Sequence, residues 1–549
     1  MNIYFIKKFL LLFFTIFALS LVSGLSFVTK TYALSNGLAQ TPPLGWNDWY
    51  SDFCSVSDPL IRSTADAMVS SGMQAAGYQY VNLDDCWQTS RDANGTIVAD
   101  PVAFPNGMKA VADYVHSKGL KFGIYTDAGT KTCAGRPGSQ GYEAQDAATY
   151  ASWGVDFVKV DWCNTGSLNA KNQYGIWRDA IAASGRPMLF NICNWGTQTP
   201  WVWGPTTGNM WRTTSDTHDN WQNLLATIDN NSQHTSFAGP GGWNDPDIMH
   251  IGLGGMTNTE YQSNFSLFAI MASPLIAGND IRTMSQPIHD ILTNKEVIAV
   301  DQDSLGQQGF KVNDNNAGLQ VWMKRLHTPG QRSVVLFNRT ATAAAMTVKW
   351  TDIGLLSSSA SVRDLWTYTN KGNYSTSYTA TVPSHGVVMI KVSGTGNTSW
   401  VQTPLKSGFL SDQIWTYADN GWGPVETDMS LGNIEIRDGH TLTLNGATFA
   451  KGLGTHANSD IRYNTNSRCT KFSASVGIDD EVGNNGNVSF QVYGDATKLY
   501  DSGSVTGSSA AQSVNVNLTN YKQLRLVVDK GVTDAYDHAD WANARVTCF

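Results

Sequence analysis

The chain has 549 residues, more than one hydrophobic core accommodates, so two or three domains are expected. Charged residues make up 15%, aromatic residues 11% with 19 Trp, and the net charge is −8, which excludes a disordered chain and argues against nucleic acid as a partner. Abundant Trp and Asn with few charges suit a neutral polar ligand such as a sugar, a weak signal because tryptophan is also ordinary core material.

At the N-terminus, Lys7 and Lys8 precede an apolar run from Phe9 to Val28, and "TYA" stands before Leu34. This reads as a secretory signal over residues 1–33, hence a secreted protein; because the run is long for a signal, an uncleaved membrane anchor is the alternative. The seven cysteines form no CxxC pair, so zinc-ribbon spacing is absent. In an exported chain they read as disulfides with one left over.

From residue 40 to 300 one unit recurs: a short apolar strand ending in polar or acidic residues, then a helical stretch. The strand ends are "LGWNDW", "YVNLDDCW", "KFGIYTDAG", "FVKVDWC", "LFNICNW", "MWRTTSD", "GWNDPD" and "PLIAGND". Eight such alternations predict a (β/α)8 barrel, whose active site sits at the C-terminal ends of the strands. "GPGGW" (239–243) lacks the GK[ST] ending of a phosphate loop and reads as a tight turn. Residues 301–392 switch to alternating runs such as "GLQVWMKRL" and "SVVLFNR", predicting an antiparallel β-sandwich. "SGTGNTS" falls in a linker placed at 393–407. Residues 408–549 are strand-rich again, a second β-sandwich module. With a linker before it and a core of its own, this module is expected to be dispensable for hydrolysis of small substrates.

The chemistry lies in the carboxylates at the strand ends: Asp84, Asp85, Asp161, Asp216, Asp245 and Asp247. Any one of them is readable as a helix cap, but several converge on one face of one barrel. Glycoside hydrolysis needs two carboxyls in different protonation states. Asp161 is the better nucleophile, because Lys159 can hold it ionised, and Asp216, which follows Arg212 on another strand, is the candidate acid. The chain has no HExxH and no GxSxG, which disfavours metal-dependent hydrolysis and serine esterase chemistry.

"PPLGWNDW", "YVNLDDCW", "KFGIYTDAG", "KTCAGRPGS", "KVDWC", "WRTTSD" and "AGPGGWNDPDIM" resemble, in order, the motifs of glycoside hydrolase family 27, the melibiase-type α-galactosidases, over about residues 40–392. The resemblance implies a retaining double displacement on terminal α-galactosides, with no catalytic cofactor and no metal in the barrel. It places Asp161 at the nucleophile, Asp216 at the acid/base, and Trp49, Asp84, Asp85, Tyr125, Lys159, Arg212 and Asp247 at sugar-binding positions. The family reads the sugar's 2-position after the fifth strand, here at Asn194 and Thr197. Asn194 can both donate to and accept from a hydroxyl, and its bulk disfavours an acetamido group. The resemblance also implies disulfides Cys54–Cys86 and Cys133–Cys163, with Cys193 left as a buried thiol. Trp162 departs from the family pattern, in which many members have a small or polar residue, and is expected to alter the rim of the site.

"GWGPVETDMS", "FAKGLGTHANSDIRY", "VGIDDEVG", "VSFQVYGD" and "DHADWANARV" resemble the NPCBM carbohydrate-binding module, over about residues 408–548. That implies a glycan ligand and a β-sandwich that often holds structural calcium. Asp537 and Asp540 are readable as ion ligands or as structural residues, and Cys469–Cys548 is the expected disulfide. The competing functions are the same fold acting on another sugar (α-N-acetylgalactosaminide, β-L-arabinopyranoside or isomaltodextran) and a catalytically inactive carbohydrate-binding protein. The presence of both carboxylates counts against the inactive protein.

Overall fold

The computed structural model describes residues 34–549 except 315–316, 399–401, 403 and 434–435. The expected signal segment, residues 1–33, lies outside the described residues. Eight parallel strands form one curled sheet: β1 (Leu44–Asn47), β2 (Tyr80–Leu83), β3 (Lys121–Asp127), β4 (Phe157–Asp161), β5 (Leu189–Cys193), β6 (Met210–Arg212), β7 (Trp243–Asp245) and β8 (Leu275–Ala277). β8 pairs with β1, and a parallel bridge from Met249, just beyond β7, to Ala277 closes the ring. The main helices between strands are α1 (Asp58–Ser70), α2 (Gly107–Ser117), α3 (Glu143–Trp153), α4 (Ala170–Ala183), the short α5 (Pro200–Trp203), α6 (Trp221–Gln233) and α7 (Asn258–Ile270). "GPGGW" is a tight turn, with Gly239 bridged to Gly242.

Strand alternation sorts the side chains. Val81, Leu83, Phe122, Ile124, Val158, Val160, Phe190 and Ile192 belong to the large core packed against the helices. The residues between them face the barrel axis, and their chemistry changes along it. Tyr80, Phe157, Leu189 and Met210 form a separate apolar cluster with Leu38 and Ala39 against it. Towards the C-terminal ends the inward positions become Asn82, Tyr125, Lys159 and Asn191, then Asp84, Asp127, Asp161, Cys193, Arg212 and Asp245. Glycine is required at 123, where a Cβ would meet Asn82 Oδ1 at 1.9 Å.

The second unit is an antiparallel sheet in the order Phe310–Asp314, Leu319–Arg325, Gln331–Asn338, Val387–Ser393, Ala360–Asp364 and Thr369–Tyr374, faced by the pair Ala344–Lys349 and Ser377–Val382. Its two faces bury different partners. Trp322, Val335, Phe337 and Met389 join the barrel core, whereas Val321, Met323, Val334, Leu336 and Ile390 pack inside the sandwich. The third unit has two further antiparallel sheets, one centred on His538–Cys548 and the other on Gln523–Lys530. Its core, which includes Phe472, Phe490 and Trp541, is a cluster of its own. No described helix is long and apolar enough to cross a membrane.

Candidate active site

Asp161 ends β4 and is 7% exposed. Tyr125 donates its hydroxyl to Oδ2 at 2.9 Å, and the Trp162 amide donates to Oδ1 at 2.9 Å. Cys133 Sγ lies 3.4 Å from Oδ2, but it is bonded to Cys163 and has no proton to give. Burial pushes the Asp161 carboxyl up to about 6; Lys159 pulls it down, and the charge of Asp216 pushes it further up. The ammonium of Lys159 makes its direct ion pair with Asp84 at 2.8 Å, not with Asp161. Its charge still favours ionised Asp161 at longer range, without an ion pair that attack would have to break.

The ends of β1 and β2 build the neighbouring wall. Asp84 Oδ2 accepts from Asn47 Nδ2 at 2.7 Å as well as from Lys159, and Oδ1 accepts from the Asp85 amide at 2.9 Å. Asp85 commits its oxygens to the amides of Cys86 (2.6 Å) and Ala134 (2.9 Å), tying its loop to the one after β3; burial raises its pKa. Buried Asp48 receives the Asp84 amide at 2.7 Å. Trp49 is half-buried, its ring edge-on to Phe53 at 5.5 Å.

Opposite stands Arg212, at the end of β6 and 2% exposed. Its guanidinium reaches Asp247 Oδ1 at 3.0 Å and Asp216 Oδ1 at 3.2 Å. The Asp216 side chain is 60% exposed, a carboxyl at the rim beside water, unlike buried Asp161. Burial opposes the charge of Asp247, but Arg212, the Thr217 amide (2.9 Å) and the Tyr50 hydroxyl (2.7 Å) outweigh it and hold its carboxyl below the usual range. Burial pushes Asp245 up to about 6 and Asp127 up to about 8, so Asp127 is largely protonated at neutral pH and adds little negative charge beside the nucleophile. Four non-glycine residues just beyond strand ends have left-handed backbone: Cys86 (φ 78°), Asn164 (53°), Trp195 (55°) and Asp247 (100°). Such strain clusters where side chains must be aimed at one point.

Asn194 follows β5 and is fully buried; its Nδ2 donates to the Thr197 carbonyl, and its Oδ1 has no partner among the described residues. Cys193 is a buried free thiol 3.5 Å from Arg212 Nη1. The disulfides are Cys54–Cys86, Cys133–Cys163 and Cys469–Cys548. Trp162 does not form the rim: its ring is stacked on Tyr174 at 5.3 Å and the residue is 8% exposed, because an aromatic neighbour on α4 offers it an apolar seat.

One face thus holds a buried carboxylate, a rim carboxylate bonded to an arginine, and a ring of polar groups with a half-buried indole, a set suited to displacement at an acetal carbon. The site residues named from the sequence leave out Asn47, Asp48, Tyr50, Thr217 and His250, the first two although they lie inside "PPLGWNDW". Inward alternation on β1 points to Asn47. His250 contacts the Thr217 hydroxyl at 2.8 Å and leaves no sequence pattern.

Three stretches match known families: residues 41–303 match "Alpha galactosidase A", 316–392 its "C-terminal beta sandwich domain", and 406–547 the "NPCBM/NEW2 domain". A probable alpha-galactosidase of Dictyostelium discoideum is 51% identical over 367 residues, 66% of this chain and 95% of that one. The crystal structure of alpha-galactosidase I from Mortierella vinacea superposes with a TM-score of 0.64 at 37% identity, covering 66% of this chain and all of that one. An alpha-galactosidase from Saccharomyces cerevisiae, solved with raffinose, gives a TM-score of 0.61 at 29% identity, over 65% of this chain and 98% of that one.

Proposed function

Because the chain belongs to glycoside hydrolase family 27, the melibiase-type α-galactosidases, and carries an NPCBM module, we propose that Asp161 is its nucleophile and Asp216 its acid/base. The enzyme is a retaining α-galactosyl hydrolase. An Asp161 oxygen attacks C1 as the glycosidic bond breaks, and Asp216 passes its proton to the leaving oxygen. Asp216, now a carboxylate, takes a proton from water, which attacks C1 of the galactosyl ester and frees Asp161. The observation carrying this reading is the contrast between the two carboxyls: one buried with no ion-pair partner of its own, the other at the rim beside Arg212.

Asp84 and Lys159 are assigned to the hydroxyls that mark galactose, with Asp85 beside them, and Trp49 to an apolar sugar face. Arg212, Tyr125 and Asp247 hold the two carboxylates and the far side of the sugar. Asn194 closes the wall at the 2-position, so α-galactoside should be preferred to α-N-acetylgalactosaminide. The substrates are terminal α-galactosides of oligosaccharides, galactomannans or glycoconjugates, raffinose being the ligand of the yeast relative. The disulfides suit an exported enzyme, and the C-terminal module is assigned a glycan ligand.

Calcium in that module fits one observation. Asp540 is fully buried beside Asp479, and neither of its carboxylate oxygens meets a donor among the described residues. Asp540 and Asp479 would hold the ion, which would supply structural charge balance and no catalysis.

The test of the assignment is Asp161→Ala. Turnover of p-nitrophenyl α-galactoside should fall by on the order of 10³-fold or more, and azide should restore release of p-nitrophenol while forming the β-galactosyl azide. Near-native hydrolysis by the variant would sink the assignment.

A further inference from the structure

The third unit is seated on the barrel at the helix that follows the Asp216 loop. Gln233, the last residue of α6 and 5% exposed, donates Nε2 to the Val425 carbonyl at 3.2 Å, and its Oε1 accepts the Val425 amide at 3.1 Å. A single side-chain amide thus pairs with both backbone groups of one module residue, as a neighbouring strand would. Trp201 of α5 donates Nε1 to Asp419 Oδ1 at 3.1 Å, and its ring stacks on His234 at 3.6 Å. Phe237 meets Tyr417 with ring centroids 5.3 Å apart. The contacts between barrel and module are partly to fully buried and join residues about 180 to 220 positions apart.

The module also reaches the Asp216 loop itself. Ile436 lines a small cavity with Thr214, Ser215 and Thr217 on that loop and with Ala226 and Asn230 on α6. The sandwich holds the same helix elsewhere: Arg339 makes a two-pronged ion pair with Asp229 at 2.7 and 2.8 Å, and Trp221 stacks on His385 at 4.4 Å. Within the barrel, Thr213 Oγ1 donates to Asn231 Oδ1 at 3.0 Å. The stretch from Thr213 to α6 is therefore gripped by all three units, while the acid/base carboxyl on it, 60% exposed, is held by Arg212 alone among the ion pairs of the described residues.

We propose that the C-terminal module positions the acid/base of the barrel, through Gln233–Val425 on α6 and Ile436 behind the Asp216 loop. This rests on the assignment of Asp216 as acid/base. Gln233 and Ile436 are positioning residues, since they act through the loop. Protonation of the leaving oxygen depends on where the carboxyl stands to within a fraction of an ångström. A p-nitrophenolate leaves without needing that proton, whereas a sugar hydroxyl cannot.

The experiment uses the full chain with Gln233→Met, Ile436→Ser and the conservative Ile436→Val, and measures kcat/KM on p-nitrophenyl α-galactoside and on melibiose. Gln233→Met and Ile436→Ser should lower the melibiose value about 5–50-fold while changing the aryl value less than about 2-fold; Ile436→Val should restore both. A purely structural role would lower both substrates together, in step with the fraction of folded protein read from circular dichroism, and that result overturns the proposal, as does no change on either substrate. Asp216→Ala separates the two levels. If it shows the same leaving-group selectivity and the interface variants do not, the positioning proposal fails alone; if Asp216→Ala lacks it, the acid/base assignment fails with it.

Discussion

The barrel and the C-terminal module each bury a group of carboxylates, and they neutralise them differently. In the barrel, Asp84 and Asp247 have cations of their own, Lys159 at 2.8 Å and Arg212 at 3.0 Å. In the module, Asp540 lies beside Asp479 and acidic neighbours that raise its pKa on top of its burial, and no described lysine or arginine is paired with it. Asp479 itself is tied to the amides of Thr443 and Glu481, each at 2.9 Å. The barrel has built into the chain the positive charge that Asp84 and Asp247 face, and needs none from outside for these two. The module must take a proton or an ion from outside. Buried charge without a partner is costly in either place, and the difference lies in where the partner comes from.

The strongest challenge to this comparison removes the built-in cation. Arg212→Met leaves Asp247 buried with only the Thr217 and Tyr50 donors, and should cost about 3–5 kcal/mol of stability. Activity should fall further than stability, because Asp216 loses its arginine too. A chevron or a denaturant titration of the isolated variant, set beside kcat/KM, measures both. A variant as stable as the parent would mean that the arginine serves the substrate alone.

The complementary manipulation adds or withholds the external cation. With calcium at about 100 times its dissociation constant, the module should gain about 2.7 kcal/mol, lost on chelation. Asp540→Asn should abolish that dependence and leave hydrolysis of the aryl galactoside unchanged. If the melting temperature of the parent is indifferent to calcium and chelator, the Asp540–Asp479 pair shares a proton instead.

These contrasts were unevenly legible in the sequence. Eight apolar runs ending in polar residues foretold the eight barrel strands, because strand alternation and strand-end chemistry are local signals. Lys159 and Asp161 were found for the same reason, although the ion pair of Lys159 goes to Asp84, a partner 75 positions away. Trp162 looked like a rim residue because nothing local announces Tyr174. The docking of the module on α6 was hidden altogether: Gln233 and Val425 are 192 positions apart. The "SGTGNTS" linker and the separate core suggested a tethered appendage instead. Local pattern reports which face of an element is apolar, not which distant backbone will complete a side-chain amide.

A further contrast lies within the barrel, at Asp161, a buried carboxylate with no ion pair of its own among the described residues. Its carboxyl is pushed up to about 6 in the folded protein, chiefly by burial, against an ordinary value of 3.8. A raised carboxyl binds its proton more tightly folded than unfolded. Stability from this group is therefore greatest below pH ~4 and is lost as pH rises from ~4 through ~6. At neutral pH the ionised form should cost up to about 3 kcal/mol, less whatever the site relaxes. Asp161→Asn, inactive but close in shape, should then be more stable than the parent at pH 7, with the advantage shrinking towards pH 4. Activity runs the other way, since attack needs the carboxylate: kcat/KM should decline as pH falls through about 6. Thermal melts of the two proteins at both pH values, with a pH–rate profile of the parent, check the pair of expectations. An Asn variant less stable than the parent at pH 7 would show that the barrel cations compensate Asp161 as fully as they do Asp84 and Asp247.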